Sequence, residues 1–408
     1  MERQWSAREQ HRAAVLSLLH RGHELTRGEI ADRLGLTRST VSEVLTTLRG
    51  DGILAVSRSR PPGGRGRPAE VLRIHPGAVR YIGLDFSHTS VTVCLANSAA
   101  EVIASGAVAY DHATGWESRV RSGVDLVRSL IDGDVHLGPL AGVGIGLPGP
   151  NSASWDGFHR VDGTTEPFHL VRARIREVFG EEFRAPVIVD HHIRFAALQE
   201  AAAAGGVDRS LVYLRLSTGA GGAVLGGHVA LRGSHLLAGE IGHMTVDRSS
   251  AAQLCRCGRH GCLETVASKE AVLSRWRGLT DESADLESLQ AAIAGGDSAA
   301  LRLITEVAET VGRVVGVTAL VMDPDQIVIA GEVGALLRRA LPALREAVVQ
   351  ETLTGDELHI RIARTDSEQG ARGAITALRA TDDVPDLYRD FRIPTEGFFD
   401  PAGGTSVS

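Results

Sequence analysis

Residues 81–97, YIGLDFSHTSVTVCLAN, predict an apolar strand, a short polar loop and a second apolar strand. Residues 211–227, LVYLRLSTGAGGAVLGG, repeat this order about 130 residues later. A supersecondary unit repeated at this separation indicates a body of two related lobes with a cleft between them. Loops of small residues can surround phosphate groups with backbone N–H groups, but glycine loops occur in many folds and do not by themselves define a nucleotide site.

Outside this repeat, apolar strands alternate with helical segments. Residues 141–150, AGVGIGLPGP, predict a buried strand that runs into a Pro-Gly turn, and residues 325–334, DQIVIAGEVG, predict a strand that ends in a glycine loop. Apolar residues recur at helical spacing in residues 298–317, SAALRLITEVAETVGRVVGV. This alternation predicts an α/β body. We assign its first lobe to residues 77–195 and its second lobe to residues 196–380.

Residues 1–76 predict a separate small domain. Thr26 and Glu29 form a capping-box pattern at the start of a short helix that Gly35 ends, and Thr37 caps the next helix, TRSTVSEVLTTLRGDG. Two short helices joined by a brief turn, the second beginning with Arg, Ser and Thr, are typical of a helix-turn-helix. The candidate DNA contacts, which face away from the apolar stripe of the second helix, are Thr37, Arg38, Ser39, Thr40 and Ser42.

A basic hairpin follows these helices. The segments ILAVSRSR and AEVLRIH alternate apolar and polar residues on either side of PPGGRGRP, residues 61–68, which predicts two strands and the wing of a winged helix. The arginines of this wing, which suit a phosphate backbone or a minor groove, are Arg58, Arg60, Arg65 and Arg67. An alternative interpretation is a three-helix protein-interaction module followed by a basic linker.

The charge of the chain is unevenly distributed. Residues 1–75 contain 13 arginines and 8 acidic residues, whereas residues 76–408 contain 30 basic and 42 acidic residues. The whole chain has a formal net charge of −7, so the N-terminal domain is the part predicted to bind a polyanion. Motif order, spacing and charge together predict that this polyanion is double-stranded operator DNA.

Composition excludes several classes of protein. The 408 residues are 43% hydrophobic and 23% charged, as in a soluble protein of two or three domains. No apolar run has the length of a membrane span, and the N-terminus lacks the apolar region of a signal peptide. Four cysteines are too few for a disulfide framework, which predicts reduced thiols and a cytoplasmic location. Residues 381–408 are polar and aperiodic, and predict a partly disordered tail.

Three of the four cysteines lie in one short segment, CRCGRHGCLE, residues 255–264. Together with the upstream histidine they form a His-x11-Cys-x-Cys-x4-Cys pattern, and these candidate ligands are His243, Cys255, Cys257 and Cys262. One imidazole and three thiolates suit a closed, tetrahedral and structural zinc site with one ion per chain. The alternatives are three reduced surface thiols or a redox pair, although a Cys-x-Cys bridge is strained. The fourth cysteine, Cys94, lies in an apolar strand and is predicted to be a core residue.

GEIGHM, residues 239–244, followed by CRCGRHGCLE, resembles the signature of the ROK family (repressor, open reading frame, kinase), and the similarity covers nearly all of residues 8–380. The N-terminal domain is similar to that of the family's regulators, with GRGRPAEVLRIHP leading into the first strand of the body. The resemblance implies an actin-like, two-lobed sugar-kinase body behind a winged helix-turn-helix, usually dimeric or tetrameric. It also matches the zinc ligands at all four positions.

Two motifs depart from the pattern of the family's kinases. Those kinases bind ATP with an Asp-x-Gly-Gly-Thr loop, whereas residues 85–89 of this chain are DFSHT, so the Cβ atoms of Ser87 and His88 occupy positions where backbone must approach phosphate. Family members carry Asn-Asp, with the Asp as general base, where this chain has His191 and His192. A histidine can act as a base, but phosphoryl transfer depends on positioning, so the two changes together predict no enzymatic activity.

The other sugar contacts implied by the resemblance are present as Glu240, His243 and Glu264. Zinc would bind one ring nitrogen of His243 and leave the other facing the cleft. A structural role near the metal remains open for both glutamates. The changed His191–His192 pair could accommodate a different effector, such as an anionic or phosphorylated sugar, because imidazolium can pair with phosphate. Equally, the cleft could bind no ligand.

These features predict a cytoplasmic transcription regulator, of the repressor type, that binds a palindromic operator as a homodimer or homotetramer. Its catalytically degenerate kinase body would sense a carbohydrate-like effector or serve for dimerisation. The alternative is an ATP-dependent sugar kinase with an appended DNA-binding domain. The loop at residues 85–89 and the His191–His192 pair both argue against the kinase.

Overall fold

The structure is a computed structural model. The residues that it describes are 7–20, 24–50, 53–59, 69–75, 78–97, 100–111, 113–132, 135–149, 168–203, 209–227, 229–280, 283–353, 357–364 and 366–383.

The N-terminal domain has three helices and a small sheet. Its elements are α1 (Ala7–His20), β1 (Leu25–Thr26), α2 (Arg27–Leu34), α3 (Arg38–Gly50), β2 (Leu54–Ser59) and β3 (Ala69–Ile74). The antiparallel sheet has the order β1-β3-β2. The capping box at the start of α2 is confirmed, since Thr26 Oγ1 accepts a hydrogen bond from Glu29 N at 3.3 Å and Glu29 Oε2 accepts one from Thr26 N at 2.7 Å. Gly35 ends α2 in the left-handed region, with φ 62°.

The first lobe is built on a five-stranded sheet. Its strands and outer helices are β4 (Ala78–Phe86), β5 (Ser90–Ala96), β6 (Val102–Ala109), α4 (Trp116–Ser129), β7 (His136–Leu147), α5 (Phe168–Phe183) and β8 (Val187–His191). The strand order is β6-β5-β4-β7-β8, with β4, β5 and β6 antiparallel and with β7 and β8 parallel to β4. Helices α4 and α5 pack their apolar faces on one side of this sheet.

The second lobe repeats this arrangement. Its elements are α6 (His192–Ala203), β9 (Leu211–Leu216), β10 (Ala220–Gly226), β11 (Val229–Ala230), α7 (Glu264–Ala267), α8 (Lys269–Leu279), α9 (Leu286–Ala294), α10 (Ser298–Met322), β12 (Gln326–Ala330), α11 (Gly331–Leu336), α12 (Leu341–Glu351) and β13 (His359–Ile362). The strand order is β11-β10-β9-β12-β13, again with three antiparallel strands followed by two parallel ones. The prediction of two related lobes from the repeated segments is confirmed.

Two helices fill the space between the sheets. Helix α6 and the last helix, α13 (Gln369–Asp383), pack against each other and against the inner face of the second sheet. Helix α13 also covers the inner face of the first sheet at Tyr81 and Cys94, which confirms Cys94 as a core residue. This packing differs from the predicted assignment of residues 196–380 to the second lobe alone. The helix also extends to Asp383, so residues 381–383 are helical rather than part of a tail.

Glycines explain how α13 comes so close to the first sheet. A Cβ at Gly83 of β4 would overlap the Ala371 carbonyl oxygen, and a Cβ at Gly144 of β7 would lie 2.8 Å from Ala374 Cβ. Gly373 of α13 makes the same close approach to the backbone of Phe195 in α6. Backbone-to-backbone contact therefore joins the C-terminal helix to both lobes, which local periodicity could not reveal.

The N-terminal domain is joined directly to the first lobe. Ala78, the first residue of β4, is 1% exposed and belongs to the apolar core of the N-terminal domain. The same residue pairs with His136 of β7, whose ring lies 5.2 Å from the ring of His75. Strands β4 and β7 therefore both begin near this junction and extend along the first sheet to its opposite end.

Among the described residues, no helix combines the length and the apolar character needed to span a membrane.

Candidate functional site

The candidate DNA contacts lie on the outer face of α3. Val41, Val44 and Leu45 are buried on its inner face, whereas Arg38 and Ser39 are exposed on the outside. Thr37 caps the helix as predicted, because its Oγ1 accepts a hydrogen bond from Thr40 N at 3.2 Å. Hydroxyl contacts order this end of the helix further, with Thr37 Oγ1 2.8 Å from Ser39 Oγ and 2.9 Å from Thr40 Oγ1.

Other contacts fix α3 within the N-terminal domain. Ser42 Oγ donates to the Arg38 carbonyl oxygen at 2.7 Å and accepts from Arg27 Nη1 at 3.2 Å, so this hydroxyl is engaged within the protein. Of the predicted wing arginines, Arg58 belongs to β2, and Arg60, Arg65 and Arg67 lie outside the described residues.

The predicted metal ligands come together in one buried cluster. The four side chains, whose ligand atoms all lie within 4.8 Å of one another, are His243, Cys255, Cys257 and Cys262. His243 ends a single 3-10 turn, Ile241–His243, and the cysteines follow on a loop. Gly261 makes the tight return of this loop possible, with φ 70° and with its α-carbon so close to the Asp247 carbonyl oxygen that a Cβ would overlap it. Sequence spacing correctly predicted this cluster.

The geometry and chemistry of the cluster fit a cation. Cys255 Sγ lies 3.6 Å from His243 Nδ1, and Cys257 Sγ lies 3.5 Å from Cys262 Sγ. Burial raises the pKa of the Cys255 and Cys262 thiols, so nearby positive charge is needed before they become thiolates. His243 directs Nδ1 toward the thiols, while its Nε2 lies 4.0 Å from Glu240 Oε2 at the edge of the cleft. One ring therefore contacts both sites, as expected from the sequence.

The cleft between the lobes contains a cavity of about 80 Å³. Its lining comes from both repeated loops, from the start of α6 and from residues 243–262, which carry the imidazole–thiol cluster and are called the metal loop below. The lining residues are Ser87, His88, Pro148, Gly149, His191, His192, Ile193, Arg215, Ser217, Thr218, Gly219, Ala220, Gly221, Glu240, His243 and Arg256. Ligand sites for small molecules are usually ~300–1,000 Å³. The side chains themselves therefore fill most of this cleft.

His192 binds a carboxylate of the first lobe. It is the first residue of α6, and its Nδ1 lies 3.0 Å from Asp85 Oδ1 at the end of β4. Burial would raise the pKa of Asp85, but the His192 ring and the charge of Arg215 outweigh it and lower the pKa. Ser87 of the same loop accepts hydrogen bonds from Thr89 N at 3.2 Å and Ser90 N at 2.9 Å, so the loop closes on its own side chain.

His191 is also buried beside the cavity, but its hydrogen bonding differs from that of His192. It is 4% exposed, and its Nδ1 has no hydrogen-bond partner among the described residues. Burial, reinforced by His192 and Arg194, lowers the pKa of His191 well below its usual range. Burial therefore disfavours the charged form of His191, the form that would pair with an anionic effector.

Asp190 has a structural role. Its carboxylate is bound by Arg194 Nη1 and by Arg232 Nε, each at 2.7 Å, and it also accepts a hydrogen bond from His191 N at 2.7 Å. Burial would raise the pKa of Asp190, but these arginines lower it. Arg194 Nη2 also donates a hydrogen bond to the Leu236 carbonyl oxygen at 2.6 Å, so the network connects the start of α6 to the loop after β11.

Of the two glutamates named from the sequence, Glu240 lines the cavity, whereas Glu264 is buried at the start of α7 and bonds Arg256, which lines it. Burial raises the pKa of Glu240 to about 7, although Arg194 and Arg256 oppose this shift. Glu264 Oε2 accepts hydrogen bonds from Ala220 N at 3.0 Å and from Arg256 Nη2 at 2.7 Å. Glu264 is therefore already occupied by groups of the protein.

Arg256 is one of two arginines of this site that sequence reasoning missed. It lies between Cys255 and Cys257, and its guanidinium bridges the lobes, with Nη2 on Glu264 and Nη1 3.3 Å from His88 Nε2. The only available signal was its position, since a residue flanked by two metal ligands cannot move far from them. Arg215, at the end of β9, also lines the cavity and was likewise not identified.

Fold and site together define a class of protein: a body of two duplicated α/β lobes with a cleft and a buried imidazole–thiol cluster, preceded by a winged helix. The chain belongs to the ROK family, whose model matches residues 81–380. A Crp-like helix-turn-helix model matches residues 10–61. Both parts of the predicted resemblance are confirmed.

Named relatives include both regulators and kinases. The chain is 26% identical to the DNA-binding transcriptional repressor Mlc of Escherichia coli K12 over 374 residues, which are 88% of this chain and 89% of that protein. It is 28% identical to a glucokinase of Halalkalibacterium halodurans over 313 residues, which are 72% of this chain and 93% of the kinase. A ROK family transcriptional regulator of known structure, a homologue of E. coli MLC, has the same fold, with a TM-score of 0.67, 20% identity and coverage of 92% of this chain and 97% of its own.

Proposed function

We propose that this protein is a DNA-binding transcriptional regulator of the repressor type. The observation that carries this proposal is the exposed polar face of α3, presented by a winged helix that is packed directly on a ROK body. The recognition helix of such domains enters the major groove, and the wing contacts the backbone or minor groove. Similarity to the Mlc repressor over 88% of the chain supports the same function. Regulation of transcription places the protein in the cytoplasm, with the DNA.

The DNA proposal is tested with the full-length protein. Operator fragments would be selected from genomic DNA, and binding measured by fluorescence anisotropy at several salt concentrations. Arg38→Ala should weaken operator binding by ~1–3 kcal/mol while changing binding to random duplex much less, because an arginine that reads a base contributes to discrimination.

A matched variant separates charge from base reading at the same position. Arg38→Lys keeps the charge but cannot form the bidentate hydrogen bonds of a guanidinium. It should therefore bind random duplex like the wild type but discriminate less between operator and random DNA. Failure of the wild-type protein to bind any duplex at low salt would end the regulator proposal.

We also propose that the ROK body does not act as a kinase. Asp85 is held by His192, Ser87 closes the first loop on itself, and the His191–His192 pair replaces the family's Asn-Asp. These features support the proposal that the body does not catalyse phosphoryl transfer, since that reaction depends on positioning. Glucokinase is the name of one relative, whereas residues 85–89 and 191–192 of this chain depart from the motifs that the family resemblance implies for its kinases.

The buried cluster is proposed to hold one structural zinc ion through His243, Cys255, Cys257 and Cys262. Three thiolates and one imidazole complete a tetrahedral set and leave no position for water, so the ion would stabilise the loop rather than activate a substrate. The zinc charge offsets the cost of burying thiolates. Among protein groups, Arg259 Nη2 donates to the His243 carbonyl oxygen at 2.8 Å and holds the ligand backbone in place.

A carbohydrate-like effector is proposed for the cleft, which Glu240 and His243 line and where Glu264 bonds the lining residues Ala220 and Arg256. Assembly as a homodimer or homotetramer is also proposed. Helix α10 supports assembly, because Val317, Leu320 and Val321 lie at i, i+3 and i+4 and are 37%, 50% and 76% exposed. An apolar strip of this kind on a soluble protein marks a candidate contact between subunits.

A further inference from the structure

The carboxylate of Glu70 holds two arginines of the N-terminal domain. Glu70 is the second residue of β3, and its Oε1 lies 3.1 Å from Arg49 Nη1, whereas its Oε2 lies 3.5 Å from Arg27 Nη2. Arg27 is the first residue of α2, and Arg49 belongs to the last turn of α3. One carboxylate therefore connects three elements of the domain, and its negative charge is shared between two guanidinium groups.

Both arginines lie beside the face of α3 that carries the candidate DNA contacts. Ser42 and Arg49 are seven residues apart, which is close to two full turns, so they lie on the same side of the helix. Arg27 reaches this side as well, because its Nη1 donates a hydrogen bond to Ser42 Oγ at 3.2 Å. The register of the hairpin places Glu70 opposite Arg58 of β2. The Glu70 cluster therefore lies between the recognition helix and the strands that lead into the wing.

The ion pairs of Glu70 are of a kind that exchanges partners at low cost. The side chains of Arg27, Arg49 and Glu70 are 44%, 42% and 42% exposed. Ion pairs at this exposure contribute little to stability, because water solvates the separated charges. A guanidinium binds a phosphate with the same bidentate geometry that it uses for a carboxylate. A DNA phosphate is therefore a suitable replacement for Glu70 on both arginines.

We propose that Glu70 competes, within the protein, for the arginines that DNA phosphates bind. In the free protein Glu70 holds Arg27 and Arg49, and on the duplex both arginines transfer to phosphate oxygens while Glu70 turns to solvent. The carboxylate thereby lowers the affinity for every duplex by a similar factor, because phosphate contacts carry no sequence information. This inference rests on the proposed DNA-binding function and concerns what sets its strength.

Glu70→Gln in the full-length protein tests the proposal. Removal of the competing charge should tighten binding to operator fragments and to random duplex alike, by about 2- to 10-fold at low salt. The ratio of the two affinities should stay the same, in contrast to Arg38→Ala. The slope of log affinity against log salt should steepen by up to about one, since the wild-type carboxylate takes up a cation when the arginines leave it. Fluorescence anisotropy at several salt concentrations measures all three quantities.

A set of variants separates competition for these arginines from general repulsion of DNA. The double variant Arg27→Gln/Arg49→Gln should bind both duplexes more weakly, and the addition of Glu70→Gln should then give a smaller gain, because the carboxylate has no arginine left to hold. Repulsion alone would give an equal or larger gain without the arginines. Glu24→Gln is the matched control: this exposed acid of the same domain lies 3.9 Å from Arg73, and its loss should change both affinities by less than about 2-fold.

Two results would overturn the inference: unchanged DNA affinity in Glu70→Gln, or a gain that is undiminished when both arginines are absent. Glu70→Ala also removes the carboxylate and should show the same gain, so it serves as the second variant. A wild-type protein that binds DNA with the same affinity as Glu70→Gln removes only this inference. Failure of both proteins to bind any duplex at low salt removes the regulator proposal, and this inference falls with it.

Discussion

At the scale of single residues, two histidines change what the cleft can do. His192 bonds Asp85 at 3.0 Å, and the backbone of His191 bonds Asp190, which Arg194 and Arg232 also hold. A carboxylate that already accepts bonds from cationic groups has a lowered pKa and is a weak base. Neither aspartate is therefore suited to take a proton from a ligand hydroxyl.

Gly83 provides a residue-scale prediction about packing. Gly83→Ala should destabilise the protein by ~1–3 kcal/mol, because the new Cβ would overlap the Ala371 carbonyl oxygen of α13 and backbone cannot easily move away. Chemical denaturation followed by circular dichroism measures the change.

The matched control is Gly278→Ala in α8, where no heavy atom lies within 4 Å of the added Cβ. This variant should be unchanged or more stable by roughly 0.5–1 kcal/mol, since alanine favours helix. Equal stability of the Gly83 variant and the wild type would show that α13 does not pack against β4.

At the scale of elements, the metal loop links the proposed metal site to the cleft. Cys255 and Cys257 flank Arg256, and His243 presents one nitrogen to the thiols and the other toward Glu240. Fixing these side chains therefore also fixes Glu240 and Arg256, which line the cleft from the same segment of backbone. Loss of the ion should loosen the cleft before it affects the distant sheets.

The metal prediction follows from this arrangement. Purified protein should contain about one zinc per chain, and Cys257→Ser should lose it, while Cys94→Ala should retain it because Cys94 lies in a separate apolar core. Elemental analysis of the three proteins is the measurement.

Chelators should remove zinc more readily as pH falls, because burial raises the pKa of Cys255 and Cys262 and protons then compete with the metal. Freshly isolated, reduced protein without zinc would contradict the assignment.

At the scale of the whole molecule, two strands connect the N-terminal domain to the cleft. Strand β4 runs from Ala78, in the core of the N-terminal domain, to Phe86 beside the first loop. Strand β7 runs in parallel from His136 to Leu147, next to Pro148 and the cavity. Both strands therefore begin beside the N-terminal domain and end beside the cleft.

The catalytic prediction also concerns the whole molecule, because catalysis needs both lobes. The wild-type protein should phosphorylate no hexose or N-acetylhexosamine in a coupled ATP assay with magnesium. Restoring Asn-Asp at positions 191 and 192 should not create turnover, since Ser87 and His88 would still occupy the phosphate loop. A ROK glucokinase assayed in parallel is the positive control. Turnover by the wild-type protein would overturn the regulator-only interpretation.

Local sequence determined much of this protein. Capping residues, helical periodicity and a basic hairpin predicted the winged helix, and four ligands within twenty residues predicted the metal cluster, because these signals act over short stretches of chain. The repeated strand–loop–strand segments predicted the two lobes. Only the tertiary structure decided that α13 returns to the first sheet, that His192 binds Asp85 and that Arg256 joins His88 to Glu264. Apart from Arg256 and Glu264, these partners are far apart in sequence, and their contact depends on how the two lobes pack together, which no local pattern encodes.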